Sequence, residues 1–176
     1  EICSSGNKTF EEPAFRAYVS QIRGADLNDD QKLLAYRKIM PYALSAERKN
    51  SILNQVAALK TYQALFFAAG FLDDPSTSPA AAGAVMTIAL PPAGEESGMY
   101  GRLVREILEK ASGKLTGPES DYEREMIAKY LSSMPSDEGF KPMFNGKDLT
   151  GWQGLVENPI VRSKMKKADL ARRQAE

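Results

Sequence analysis

The sequence predicts an all-α fold, either a stack of helical hairpins or an irregular helical bundle, with about seven helices and an irregular C-terminal extension. Three observations lead there. From about Glu12 to Met134, apolar residues recur at helical spacing. Sustained alternation of apolar and polar residues, the mark of a half-buried strand, is missing from the same span. Prolines, glycines and short polar clusters cut the pattern into pieces of about one to five turns.

The first helix carries Phe15, Tyr18, Val19 and Ile22 on one face. Pro13 falls in its first turn, where a missing N–H costs nothing, and Gly24 closes it. Residues 1–11 ahead of it read as a disordered or extended N-terminus. The second helix follows Asn28 as N-cap, with Asp29 and Asp30 at the positive end of the helix dipole and Gln31 in the capping-box position. Pro41 ends or kinks it. The third starts after Ser45 and sets Ile52, Val56 and Leu59 opposite Arg48, Lys49 and Gln55.

The fourth helix, Thr61 to Leu72, is apolar almost all round through Leu65, Phe66, Phe67, Ala68, Ala69 and Phe71, which marks it as the most buried element. Phe66→Ala is accordingly expected to be a costly core truncation. In the fifth helix Ser78 is the expected cap and Pro79 takes the first turn. Its run Ala80, Ala81, Ala82, Gly83, Ala84, Val85, Ile88 and Leu90 offers small and branched side chains for close helix contact. An apolar helix, the turn Asp73-Asp74-Pro75 and an Ala-rich helix together resemble one HEAT-type repeat. Each hairpin in such a repeat buries its face only by stacking on the next.

Pro91 to Gly98 is a break rich in turn residues. A sixth helix follows with Tyr100, Leu103, Val104, Ile107 and Leu108 at helical spacing. Gly113 and the Gly117-Pro118 step separate it from a seventh with Tyr122, Met126, Ile127, Tyr130 and Leu131 on one face. Residues 12–134 thus read as one HEAT-like helical domain and residues 135–176 as a linker plus a further segment, with Ser132 to Lys141 reading as linker. Within that segment Ser163 to Ala175 is a charged run, marginal as an isolated helix.

The totals exclude more chemistry than they support. Lys plus Arg and Asp plus Glu both number 23, so no global field draws the chain onto nucleic acid or an anionic membrane. No apolar run approaches the ~20 residues of a transmembrane helix. Histidine is absent, which removes Ser-His and Cys-His catalysis and zinc sites of the His type from this chain. The lone Cys3 can form no internal disulfide. It reads as a disordered terminal residue rather than a lipid attachment site, and neither a basic nor an apolar export signal is visible near it.

Local patterns add little. Asp26, Asn28 and Asp30 match the first, third and fifth positions of a calcium loop, but Gln31 replaces the turn glycine and Arg37 stands where a bidentate glutamate is needed. Capping by Asn28 explains the same residues. The pairs Glu11-Glu12, Asp29-Asp30, Asp73-Asp74 and Glu95-Glu96 do not suit glycosidase chemistry, because carboxylates adjacent in sequence diverge on a helix. Glu119, Asp121, Glu123 and Glu125 read as a solvated helix face. Arg162, Lys164, Lys166, Lys167, Arg172 and Arg173 form a basic cluster with no interleaved aromatic for base stacking, so no nucleic-acid partner is expected. No catalytic residue, cofactor site or metal site is assigned.

One segment points to an activity. Gly139-Phe140-Lys141-Pro142-Met143 leads into Phe144-Asn145-Gly146-Lys147-Asp148-Leu149-Thr150-Gly151-Trp152. Over about residues 139–155 this resembles the entrance of the 3-keto-disaccharide hydrolase family, whose members carry a concanavalin-like β-sandwich. Asn158-Pro159 and the basic run after it look like an insertion found in some members. The resemblance implies that residues 135–176 hold a linker and the start of such a sandwich, that the rest of the sandwich lies beyond Glu176, and that the parent protein is exported, periplasmic or on the cell surface. It further implies that glycoside hydrolysis resides in that missing C-terminal domain, while the helical part is a non-catalytic module whose partner is the sandwich. A stand-alone helical-repeat module that binds protein or peptide is the alternative, and carbohydrate stacking on exposed Tyr or Trp a weaker one.

Overall fold

The computed structural model describes residues 7–92, 94–95, 98–135, 147–148 and 155–175. The fold is all-α: the described residues form nine α-helices and no strand. The chain divides into two compact units, Glu1–Gly139 and Phe140–Glu176. The first holds a helical bundle.

Helix α1 (Lys8–Gly24) starts from Asn7, whose side chain accepts the Thr9 N–H at 3.1 Å. This start lies within the residues expected to be extended, and it leaves Pro13 inside the helix rather than in its first turn. The proline forfeits one ladder bond, to a Thr9 carbonyl on the exposed side where water can serve it. Phe15, Val19 and Ile22 are buried, but Tyr18 is 40% exposed. It stands about 100° round the helix from Val19, off the apolar stripe.

Helix α2 (Asp29–Ile39) opens on a complete capping box: Asn28 Oδ1 accepts the Gln31 N–H, and Gln31 Oε1 accepts the Asn28 N–H. It buries Leu33, Tyr36 and Ile39, and Pro41 converts its end into a short 3-10 helix, Met40–Tyr42. Helix α3 (Ala46–Val56) is capped by Ser45 and buries Ile52, Leu53 and Val56. Leu59, expected on this helix, lies just past its end and is buried all the same.

Helix α4 (Tyr62–Ala69) is capped by Thr61. It buries Ala64, Leu65 and Ala68, while Phe66 is 45% exposed. The expectation that α4 is the most buried element is therefore corrected. A helix apolar on every side still has one face turned to solvent when it lies at the edge of a bundle, and in α4 that face carries Tyr62 and Phe66, one turn apart.

Helix α5 (Ser78–Ala89) takes the central place. Ser78, Ala81, Ala82, Ala84, Val85, Ile88 and Ala89 are all buried, and the helix packs against α3, α4 and α6. Small side chains let neighbouring axes come close on several sides at once. Its N-cap is Thr77, not Ser78, and the Thr77 hydroxyl donates to the Phe71 and Asp74 carbonyls instead of capping.

Helices α6 (Arg102–Ser112) and α7 (Ser120–Ser133) complete the bundle. α6 buries Val104, Leu108 and Ala111, whereas Tyr100 precedes the helix and Leu103 is exposed. α7 buries Ile127 and Tyr130 and leaves Tyr122 in solvent. In the second unit, α8 (Pro159–Lys164) is capped by Asn158 and is followed by α9 (Lys167–Ala175). α9 falls within the charged run Ser163 to Ala175, and α8 begins before it. Arg162 bonds Gln174, and Arg173 pairs with Glu157 at 2.8 Å. Trp152 and most of residues 139–155 lie outside the described residues.

The exposure pattern sets an order of sensitivity. Leu65→Ala and Ile52→Ala, both at fully buried positions, should each destabilise by about 2–5 kcal/mol, while Phe66→Ala should cost about 1 kcal/mol or less. Urea unfolding of the three variants checks it, and equal losses at 65 and 66 would contradict the α4 orientation.

Candidate functional site

Two places in the helical bundle bring chemistry-bearing side chains together. The first is a cleft between α1 and α3. On α1, Arg16, Val19, Ser20 and Arg23 fall at helical spacing on one side; on α3, Ser51 and Gln55 face them one turn apart. The cleft has a volume of about 180 Å³ and opens to solvent. Val19 is buried at its floor, and the remaining lining is polar.

The electrostatics beside this cleft are organised by Glu12. One of its carboxylate oxygens accepts from Arg16 Nε at 2.6 Å and the other from Arg48 Nε at 2.7 Å. The Arg48 guanidinium also lies over the Phe15 ring, 5.2 Å from its centroid, so the charge from α3 is held against the core face of α1. Arg48, and then Arg16, hold the Glu12 carboxyl below its ordinary value. Arg23 makes no ion pair with any described residue. Burial pushes the Tyr36 hydroxyl up, and the charge of Arg23 pulls it the other way.

The second place is the strap from Gly98 to Gly101. Met99 N–H donates to the Ala89 carbonyl at 2.9 Å, which continues the polar satisfaction of α5 past its end. Tyr130 Oη on α7 donates to the Met99 carbonyl at 2.7 Å, and Tyr62 Oη on α4 contacts both the Tyr100 N–H and its carbonyl. Three helices therefore hold the backbone of Met99 and Tyr100. A Cβ at Gly98 would fall 2.8 Å from the Pro91 nitrogen and 2.9 Å from Tyr130 Oη, so the close approach needs glycine. Gly101 has φ 114°, a conformation glycine adopts without strain, where it starts α6.

The residues weighed in the sequence are scattered by the fold. Asn28 is spent on capping, and Asp29 accepts the Lys60 N–H at 3.1 Å. Among the described residues no group of three or more His, Cys, Asp or Glu converges as a metal site. Asp73 pairs with Lys110 at 2.8 Å, and Asp74 bonds the Ser76 backbone and hydroxyl and reaches Lys49 at 3.6 Å. Both carboxyls are held below their ordinary value, Asp73 by Lys110 and Asp74 by Ser76. Asp121 pairs with Arg124, whose other nitrogens cap the Ser112 and Leu115 carbonyls at the end of α6. Cys3 lies outside the described residues.

The cleft was not anticipated from sequence. Its signal was present as Arg16, Ser20 and Arg23 on the polar side of α1, but only tertiary packing sets Ser51 and Gln55 opposite them. No family model, curated protein or solved structure matches the chain.

Two measurements follow from this geometry. The pKa of Glu12 is lowered in the folded state, so its contribution to stability is present above its ordinary value of 4.5 and is lost as pH falls through the folded value. Glu12→Gln should therefore lower Tm at neutral pH, with the gap to the parent closing in acid; a gap that stays constant with pH would contradict the paired carboxylate. At the strap, Gly98→Ala should destabilise by about 1–3 kcal/mol through overpacking against backbone. Tyr130→Phe should cost about 0.5–1.5 kcal/mol for the lost hydrogen bond. Denaturant midpoints for both variants check this, and an unchanged midpoint for Gly98→Ala would mean that the strap is free to move.

Proposed function

We propose that the helical bundle is a HEAT-like, non-catalytic module joined to a sandwich domain of the 3-keto-disaccharide hydrolase type, with residues 140–176 contributing the start of that domain. The observation that carries this reading is the ungapped order Phe144, Asn145-Gly146, Lys147-Asp148-Leu149, Gly151-Trp152. A generic turn would fix only the Asn-Gly pair. The division of the chain between Gly139 and Phe140, at the point where the family-like residues begin, supports it.

The pattern of helix packing supports the HEAT-like part. From α1 to α7 each helix meets its successor, and two next-but-one pairs also meet: α2 with α4 and α3 with α5. The Glu12–Arg48 pair adds α1 with α3. Next-but-one packing, present here over the first five helices, is how stacked hairpins bury faces that one hairpin alone leaves open. In this reading the module scaffolds an exported glycoside-type hydrolase acting on an oxidised disaccharide, and hydrolysis belongs to the sandwich.

The test compares this chain with the complete product of its gene on a 3-keto-disaccharide such as 3-ketotrehalose. The complete product should hydrolyse it and residues 1–176 alone should not. A complete product without a β-rich domain after Glu176, or one that contains the domain and leaves the substrate intact, would overturn the reading.

A further inference from the structure

The geometry points to the α1–α3 cleft as a binding site for a small hydroxylated carboxylate of the size of a sugar acid. It lies wholly within the helical bundle and depends on nothing in residues 140–176.

Charge comes first. Around Glu12 one carboxylate meets two guanidiniums, Arg16 and Arg48, and Arg23 adds a third guanidinium on the same side of α1. No acidic residue lines the cleft. The local balance is therefore positive in a chain whose net charge is zero, and an anion entering the cleft meets no carboxylate on its walls. Arg16 commits its Nε to Glu12, whereas Arg23, whose charge also reaches the Tyr36 hydroxyl, forms no ion pair with a described residue. A guanidinium fork matches one carboxylate with two parallel N–H···O bonds. One such fork suits one anionic group better than a polyanion.

The rest of the lining selects what carries that group. The side chains of Ser20, Ser51 and Gln55 each offer both donors and acceptors, and none of these side chains is hydrogen-bonded to a described residue. Neutral groups that both donate and accept are suited to alcohols. Val19 gives an apolar floor on which the C–H face of a ring can rest. A cleft of about 180 Å³ holds one ring and not an extended chain. The lining contains no aromatic ring, so a nucleotide base would find nothing to stack on.

The experiment titrates the 176-residue chain, followed by backbone amide shifts, with D-glucuronate, glucose and acetate in separate arms at low salt. Glucuronate should give saturable shifts confined to residues 16–23 and 51–55, with at least about tenfold weaker response to glucose and to acetate. Arg23→Gln should weaken glucuronate binding at least about tenfold with its circular dichroism unchanged, since Arg23 is exposed. Ser51→Ala should weaken it by a smaller factor, and Lys38→Gln, on the exposed side of α2, should leave it unchanged. Equal binding of acetate would overturn the recognition of hydroxyls, and equal binding of glucose would overturn the role of the arginines. Shifts elsewhere, no saturation, or full binding by Arg23→Gln would overturn the site itself.

Discussion

The close packing of α5 is the constraint on which the rest of the bundle depends. Ala81, Ala82, Val85, Ile88 and Ala89 are at most 2% exposed, spread over so wide an arc that a single neighbour could not cover them. Three neighbours do: α3, α4 and α6. With alanine on most of that arc the neighbouring axes approach closely, and the larger residues of the partners, Ile52, Leu65 and Leu108, fill the space between. A larger residue at Ala81 or Ala82, both fully buried, would have no open space to enter. The cost would then be set by backbone displacement, not by one side chain finding room.

Polar groups at both ends of α5 are arranged to keep that packing dry. At the start, Thr77 is fully buried, yet its hydroxyl reaches the Phe71 and Asp74 carbonyls, so the tight α4–α5 turn leaves no orphan there. At the other end the Ala89 carbonyl is met by Met99, which draws the Gly98–Gly101 strap over the end of the helix. The hydroxyls of Tyr62 and Tyr130 then tie the strap to α4 and α7. Burial pushes the Tyr130 hydroxyl up from its ordinary value, and its bond to the strap compensates the loss of water.

Sequence gave clear notice of features governed by neighbours in the chain. The capping box at Asn28, the start of α3 after Ser45 and the break at Pro41 all depend on residues within one turn, and all occur where the pattern placed them. The start of α1 is an exception, since the Asn7 cap is local and only the competing first-turn signal of Pro13 obscures it. Features governed by distant residues were harder to read. Phe66 looked central because a helix apolar all round has no period to mark its solvent side, and only the position of α4 at the edge of α5 decides it. The all-α class itself was legible, since helical spacing runs through every segment of the bundle.

The same distinction explains why the cleft stayed hidden while its charges were in plain view. Several charges in the bundle are paired with a neighbour in space: Asp73 with Lys110, Asp74 with Lys49 and Ser76, Asp121 with Arg124. The chain's 46 charged residues are 23 of each sign and leave no net charge. Against that background a positive excess has to be local to exist at all. The α1–α3 contact produces one because Phe15 draws Arg48 across to α1, where Glu12 can neutralise only one of the guanidiniums around it. Had Arg48 stayed on the solvent side of α3, Glu12 and Arg16 would form an ordinary one-turn pair and the neighbourhood of the cleft would hold one guanidinium less. The packing of one arginine on one aromatic ring thus sets the field beside the cleft, and the polar walls of α1 and α3 supply its shape.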